Sequence, residues 1–344
     1  MISQKFSNPL VIQPMPGIGD MVWFLPHVRA IADHFSIQKQ VSVLARPSTH
    51  ASTLLSKEPS IKEIIPLYRR QLNRQGLERE SNHEKPYQHD GLCGLLQLAK
   101  DLRHHHFDAV WILDRHAFYV YGALLAGIPH RFGLGFGLEK IFLKFPTLPK
   151  EFHKRHARDR ATEFLKSFNI ESNLYEYPLA IDDAIMGKMR SLFPKNGSWA
   201  CIGIGASEKE KKWSIAHFAT LVEFLCSKGI ACLICGGPSE KQEAEAIKGR
   251  VPHQYQASIH CVTNLSVMET GALITESDFY IGNDTFLYNL AALQNKPSLA
   301  IQGIVPTHTY LKTMQAVGNK KDINEVLPSE VIDILTHSSL FPMC

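Results

Sequence analysis

The chain has 344 residues, 44% of them hydrophobic and 20% charged, and a formal net charge of +4. That length exceeds one ordinary core and suits two domains; the composition excludes a disordered chain, and the charge is too small to imply nucleic acid. No apolar run reaches the ~18–20 residues that span a bilayer, and residues 1–8 are polar, without the apolar core of a secretory signal, so a cytoplasmic protein is expected.

Short apolar runs alternate with helical stretches. The pattern predicts a strand at 10–13, a helix at 20–35, a strand at 41–46, a helix near 49–57, a strand at 61–67, a helix at 92–105 and a strand at 107–114. Residues 69–90 are polar and turn-rich and read as an exposed loop. Residues 151–196 join the halves through a helix at 157–168 and an irregular linker. A second series follows: strand 199–204, helix 215–228, strand 230–235, helix 239–249, strand 259–262, helix 266–276, strand 279–281, helix 285–294 and strand 298–301. Strand–helix alternation implies parallel sheets with crossover helices. The expectation is an α/β protein of two Rossmann-like domains, 1–170 and 171–344, whose parallel sheets face across a cleft. Ligands of such sheets bind at the carboxyl ends of the strands, so the loops after strands carry the chemistry.

Several tempting clusters read as structure. Cys232 and Cys235 have the spacing of half a zinc site, but no second pair follows and they lie in a buried-strand pattern, so they read as buried thiols. His104, His105 and His106 are adjacent and splay around a helix end, which prevents convergence on one ion. Residues 150–160 concentrate Lys150, His153, Lys154, Arg155, His156, Arg158 and Arg160, either as a solvated helix face or as a patch facing an anionic membrane or acceptor.

Four loops stand out. Residues 14–20 place Gly17 and Gly19 between the first strand and helix, but Val22 occupies the position of the third glycine in a dinucleotide fingerprint, which excludes that reading. The glycines permit a tight turn that ends on Asp20, which is either a helix N-cap or a carboxylate presented to a ligand. Residues 203–213 combine small residues with Lys209, Lys211 and Lys212, suited to a phosphate; one charge pair at ~4 Å and a dielectric of ~20 is worth about 4 kcal/mol before desolvation. In the third loop, Glu240 opens a helix after Gly236 and Gly237, where it favours the helix dipole or accepts from ribose hydroxyls. The fourth, Gly282-Asn283-Asp284-Thr285-Phe286, opens a helix whose first amides form an anion site.

Together these loops resemble glycosyltransferase family 9, the ADP-heptose:lipopolysaccharide heptosyltransferases, over most of the chain, most densely at 10–33 and 199–303. The resemblance implies a GT-B fold, with acceptor on the first half and nucleotide-sugar on the second. Gly19-Asp20 matches the family's Gly-Asp, which makes Asp20 the catalytic base. Lys211-Lys212-Trp213 matches its Lys-x-Trp, with Lys211 as the diphosphate contact. Ala206 and Ser207 stand where the family has hydroxyl residues near the phosphates, and only Ser207 keeps one. Glu240 matches the acid that holds the ribose, Leu265 stands where the main chain meets the base, and Asp284-Thr285 matches the donor-loop Asp-Thr. Two positions depart: Phe286 replaces glycine, and Asn289 replaces a histidine.

The function so implied is an inverting, metal-independent transfer of a sugar, heptose from ADP-heptose, to a lipopolysaccharide core or similar glycan, with no cofactor, no metal and no nucleic acid partner. The alternatives are a GT-B nucleotide-sugar epimerase, which would need no acceptor, and a non-catalytic sugar-nucleotide binding protein. Residues 133–149, with Phe136, Ile141, Phe142, Leu143 and Phe145 interrupted by Lys140 and Lys144, either pack within the first domain or lie on the inner membrane beside a lipid-linked acceptor.

Overall fold

The computed structural model describes residues 4–70, 88–144, 146–170, 177–206, 208–304 and 307–341. The chain divides into two compact units, Met1–Glu176 and Tyr177–Cys344.

The first unit is built on strands β1 (Pro9–Gln13), β2 (Val41–Ala45), β3 (Ile61–Pro66), β4 (Ala109–Ile112) and β5 (His130–Gly133), in the spatial order β3-β2-β1-β4-β5 and all parallel. Helices α1 (Ile18–Phe35), α2 (Ala51–Leu54), α3 (Gly91–Arg103), α4 (Ala117–Leu125) and α5 (Ala157–Lys166) accompany it. β1 and β2 are buried at every position, as continuous apolar runs in a sheet covered on both faces should be. One covering layer packs Leu98, Leu102, Tyr119, Val120 and Ala123 on Leu10, Ile12 and Ile112. Elsewhere in the unit Trp111 stacks between Phe35 (4.9 Å) and Phe132 (4.7 Å).

The second unit carries β6 (Trp199–Gly203), β7 (Ala231–Cys235), β8 (Ile259–Val262), β9 (Phe279–Asn283), β10 (Ser298–Gln302) and β11 (Met314–Gly318), in the order β11-β10-β9-β6-β7-β8, again parallel. Its helices are α6 (Asp183–Leu192), α7 (Ile215–Ser227), α8 (Lys241–Arg250), α9 (Val267–Glu276), α10 (Phe286–Leu293) and α11 (Pro328–His337). Chain order reverses between β1 and β4 in one sheet and between β6 and β9 in the other, and ligand crevices open at such switch points.

Several segments differ from the sequence expectation. The linker contains α6, which Asp182 caps and which Lys188–Glu269 and Arg190–Glu276 ion pairs fasten to α9. The periodicity reading also lacked α4, β5, β11 and α11: α4 is apolar nearly all round, and β5 offers only four residues. The helix near 49–57 shrinks to a 3-10 turn and α2. The basic stretch is not one solvated face, since Arg158 and Arg160 are buried and Arg160 donates to the Arg155 carbonyl at 2.7 Å. Of the expected 69–90 loop, residues 71–87 lie outside the described residues, but its end is not exposed: His89 is buried against Asp101 at 3.0 Å. The thiols of Cys201, Cys226, Cys232 and Cys235 are free and buried.

Candidate active site

In the second unit the chemistry-bearing loops leave β6, β7 and β9, neighbours in the sheet. Their approach depends on missing side chains. A Cβ on Gly203 would overlap the Tyr280 hydroxyl, and one on Gly282 would overlap the Gly203 backbone, so the ends of β6 and β9 close on each other only as glycines. Asn283 then fastens the loops. Its side chain, fully buried, donates to the carbonyls of Ile204 (2.7 Å) and Gly205 (3.3 Å) and accepts from the Trp213 amide (3.1 Å). The Trp213 indole in turn donates to the Val326 carbonyl at 2.8 Å. Sequence reading passed over Asn283; a lone polar residue at the end of an apolar strand was the signal.

The two adjacent lysines have separate surroundings. Lys212 Nζ donates to Glu240 Oε1 (3.1 Å) and Glu243 Oε1 (3.0 Å), whereas among the described residues Lys211 makes no ion pair. Glu240 Oε2 accepts from the Gly237 amide at 2.9 Å. Burial works against the Glu240 carboxylate, but Lys212, the Gly237 amide and Ser239 outweigh it and hold its pKa below the usual value. Asp284, at the end of β9, is the reverse: burial pushes its pKa up, against the opposing influence of Lys211, Thr307 and His308.

Thr285 caps α10, its hydroxyl accepting from the Leu287 amide at 3.3 Å, and the amides of that first turn favour an anion. Phe286 is half-buried. Asn289 is buried; it donates to the Thr285 carbonyl (3.2 Å) and accepts from the Tyr310 hydroxyl (2.9 Å), a partner the sequence did not suggest. Leu265 is half-buried just before Ser266, which caps α9. Ser207 lies outside the described residues. Lys211, Lys212, Glu240, Asp284, Thr285, Phe286 and Asn289 thus belong to the carboxyl-end loops of one sheet and the helices they open.

In the first unit, Asp20 is not an N-cap. α1 begins two residues earlier behind Gly17, and Asp20, its third residue, accepts from the Gly17 amide through Oδ2 at 2.8 Å. The same sheet end holds a cavity of about 370 Å³ lined by Arg46, Arg69, His116, Ala117, Phe118 and Tyr119. Arg46 follows β2 and donates to the carbonyls of Pro14 (2.6 Å) and Arg69 (2.6 Å). Arg69 follows β3, meets Asp90 at 3.3 Å and lies over the Phe118 ring at 4.0 Å. Burial depresses the pKa of Arg46, and nearby Arg69 adds to this. The sequence reading gave these two arginines no role, although Arg46 directly follows β2 and Arg69 stands three residues after β3.

Lipooligosaccharide heptosyltransferase 2 of Haemophilus ducreyi is 31% identical over 111 residues, 31% of this chain and 32% of that protein, so the match spans about a third of this curated relative. The structure of E. coli ADP-heptose lps heptosyltransferase II aligns with a TM-score of 0.71 at 19% identity, covering 96% of this chain and 97% of that one. E. coli heptosyltransferase WaaC, solved with ADP-2-deoxy-2-fluoro heptose, aligns at 0.68 and 17% identity over 96% and 100%. Those likenesses make the fold GT-B. The model of glycosyltransferase family 9 (heptosyltransferase) matches residues 95–326, across α3 to β11 and all the second-unit loops described above, and the chain belongs to that family.

Proposed function

We propose that the protein is an inverting glycosyltransferase that moves heptose from ADP-heptose to a lipopolysaccharide core or similar glycolipid, at the cytoplasmic face of the inner membrane. The observation that carries this reading is the sorting of the lysine pair: Lys212 is bound to Glu240 and Glu243, which leaves Lys211 for the diphosphate. Glu240, kept ionised, retains acceptor capacity for ribose hydroxyls. The heptose analogue bound to the E. coli relative supports the donor assignment.

In this mechanism Asp20 takes the proton of the acceptor hydroxyl as its oxygen attacks the anomeric carbon. The bond from that carbon to the diphosphate oxygen breaks, and the charge that develops there is met by Lys211 and the first-turn amides of α10. Such preorganised donors are typically worth ~10²–10³-fold each. The arginine-lined cavity of the first unit suits an anionic group on the acceptor, because paired guanidiniums match carboxylate or phosphate geometry. The test is incubation with ADP-heptose, with and without a deacylated core acceptor. Transfer that requires acceptor supports the reading; release without acceptor of a sugar whose configuration has been inverted at one ring carbon makes the protein an epimerase, and donor binding without turnover makes it a binding protein.

A further inference from the structure

The α3–α4 layer of the first unit leaves large apolar side chains uncovered. Leu92 and Leu96, one turn apart on α3, are 75% and 56% exposed, and Leu138 and Ile141, in the 3-10 turn Leu138–Phe142 after β5, are 84% and 73% exposed. The sequence reading weighed packing against membrane contact for this segment. Phe142 and Leu143 do pack on the core, but Leu138 and Ile141 do not.

The elements that carry these residues are neighbours. α4 lies against α3 at Gly122, where a Cβ would stand 3.2 Å from Leu98 and 3.6 Å from Leu95. On α4 Tyr121 meets Phe142 of the 3-10 turn edge to face at 6.0 Å. α3 and the 3-10 turn therefore both pack on α4, whose first turn, with its cap His116 and Phe118, lines the cationic cavity. Leu92 follows Asp90, the α3 cap that pairs with Arg69 of that cavity.

Charge selects the occupant. Lys140, Lys144 and Lys100 are exposed around this surface. The acids of the same elements are engaged: Glu139 is buried and accepts from the Gly137 amide, Asp90 meets Arg69, and Asp101 meets His89 and Gln97. Apolar side chains with a cationic fringe and, among the described residues of these elements, no free acid suit a lipid interface bearing negative charge. A second copy of the same face would bring like charges together in an isologous contact.

We propose that this face of the first unit lies on an anionic phospholipid leaflet, with Leu138 and Ile141 entering the interface and Lys140 and Lys144 meeting headgroup charge. The proposal rests on the reading of a lipid-linked acceptor, whose anionic head the adjoining cavity would take, but its test does not require transfer.

The full chain is co-sedimented with vesicles of phosphatidylcholine alone and of phosphatidylcholine with phosphatidylglycerol. Binding to the anionic vesicles only, weakened by salt, is expected. Leu138→Ser/Ile141→Ser should lower that binding at least about tenfold, and Lys140→Ala/Lys144→Ala should lower it by a similar factor. Both variants should keep the wild-type melting temperature and wild-type transfer to a deacylated, water-soluble acceptor. Equal vesicle binding by variants and wild type overturns the proposal, as does wild-type protein that ignores anionic vesicles, or a variant that changes oligomeric mass while keeping vesicle binding. Intact transfer without vesicle binding would sink this proposal alone; vesicle binding without transfer to any acceptor would sink the functional reading alone.

Discussion

Lys212 Nζ stands 3.1 Å from Glu240 Oε1, and this contact separates the surroundings of two neighbouring lysines that are indistinguishable as residue types. Lys211→Ala should cut kcat/KM by ~10²–10³-fold, the usual effect of removing one donor to a developing oxyanion. Lys212→Ala should act on binding instead. With its ammonium gone, the Glu240 pKa rises from its depressed position, so donor affinity in that variant should fall away at a higher pH than in wild type as the solution is acidified. Steady-state kinetics and donor Kd against pH read both effects. Equal losses of kcat in the two variants would mean the loop acts only as a diffuse positive field.

The start of α10 gives a second test. Phe286 puts a ring where the family resemblance implies a glycine, and Asn289 is held between the Thr285 carbonyl and the Tyr310 hydroxyl. Phe286→Gly should change the ratio of kcat/KM between two nucleotide sugars. Tyr310→Phe, which releases the Asn289 amide oxygen, should move the same ratio by a smaller factor. Uniform losses for all donors would assign these residues to packing of α10.

Why the second-unit loops were legible in sequence and the first-unit cavity was not has a physical cause. Gly203, Gly236 and Gly282 mark places where backbone or a neighbouring side chain leaves no room for a Cβ, and a glycine after an apolar run shows this directly. Fully buried parallel strands such as β6 and β7 likewise announce themselves as continuous apolar runs. Arg46 and Arg69 come together only because β2 and β3 are adjacent in the sheet, the two being 23 positions apart in the chain. The partnership of Asn289 with Tyr310 spans 21 residues and no periodicity encodes it. The first helix was read as starting at Asp20, two residues late, since Gly17 is a weak start signal compared with an aspartate.

Turnover should persist in excess EDTA, because the mechanism proposed assigns the diphosphate charge to Lys211 and helix amides. A loss beyond about tenfold that Mg²⁺ or Mn²⁺ restores would show that a metal shares this role, which general metal chemistry at phosphates makes a fair contest.

His27, on α1, is fully buried with Nε2 2.9 Å from the Thr162 hydroxyl, and burial, aided by Arg158, lowers its pKa to about 3. The unfolded chain takes up a proton near pH 6.5 that the native state refuses until about pH 3. The neutral imidazole's contribution is therefore intact above pH 6.5 and is lost as pH falls toward 3, by about 1 kcal/mol per pH unit. His27→Gln should flatten the slope of unfolding free energy against pH across that window. An unchanged slope would place the acid sensitivity in other groups.

The most exposed prediction concerns Asp20. As the third residue of α1 its carboxylate accepts from the Gly17 amide, a bond that the amide oxygen of asparagine can also accept. Losing the negative charge near the helix start should cost only ~0.3–1 kcal/mol. Asp20→Asn should therefore melt within a few degrees of wild type and bind donor with similar affinity, since the proposed donor contacts are on the second unit. A base must be an ionisable carboxylate, however, and positioned proton transfer contributes ~10²–10⁴-fold. The kcat of the variant should fall at least about a hundredfold with KM for donor little changed. Turnover within a few-fold of wild type would leave Asp20 as the residue that closes the β1–α1 turn, and the base would have to be sought among the other carboxylates at that sheet end, of which Asp114, two residues after β4, is the first candidate.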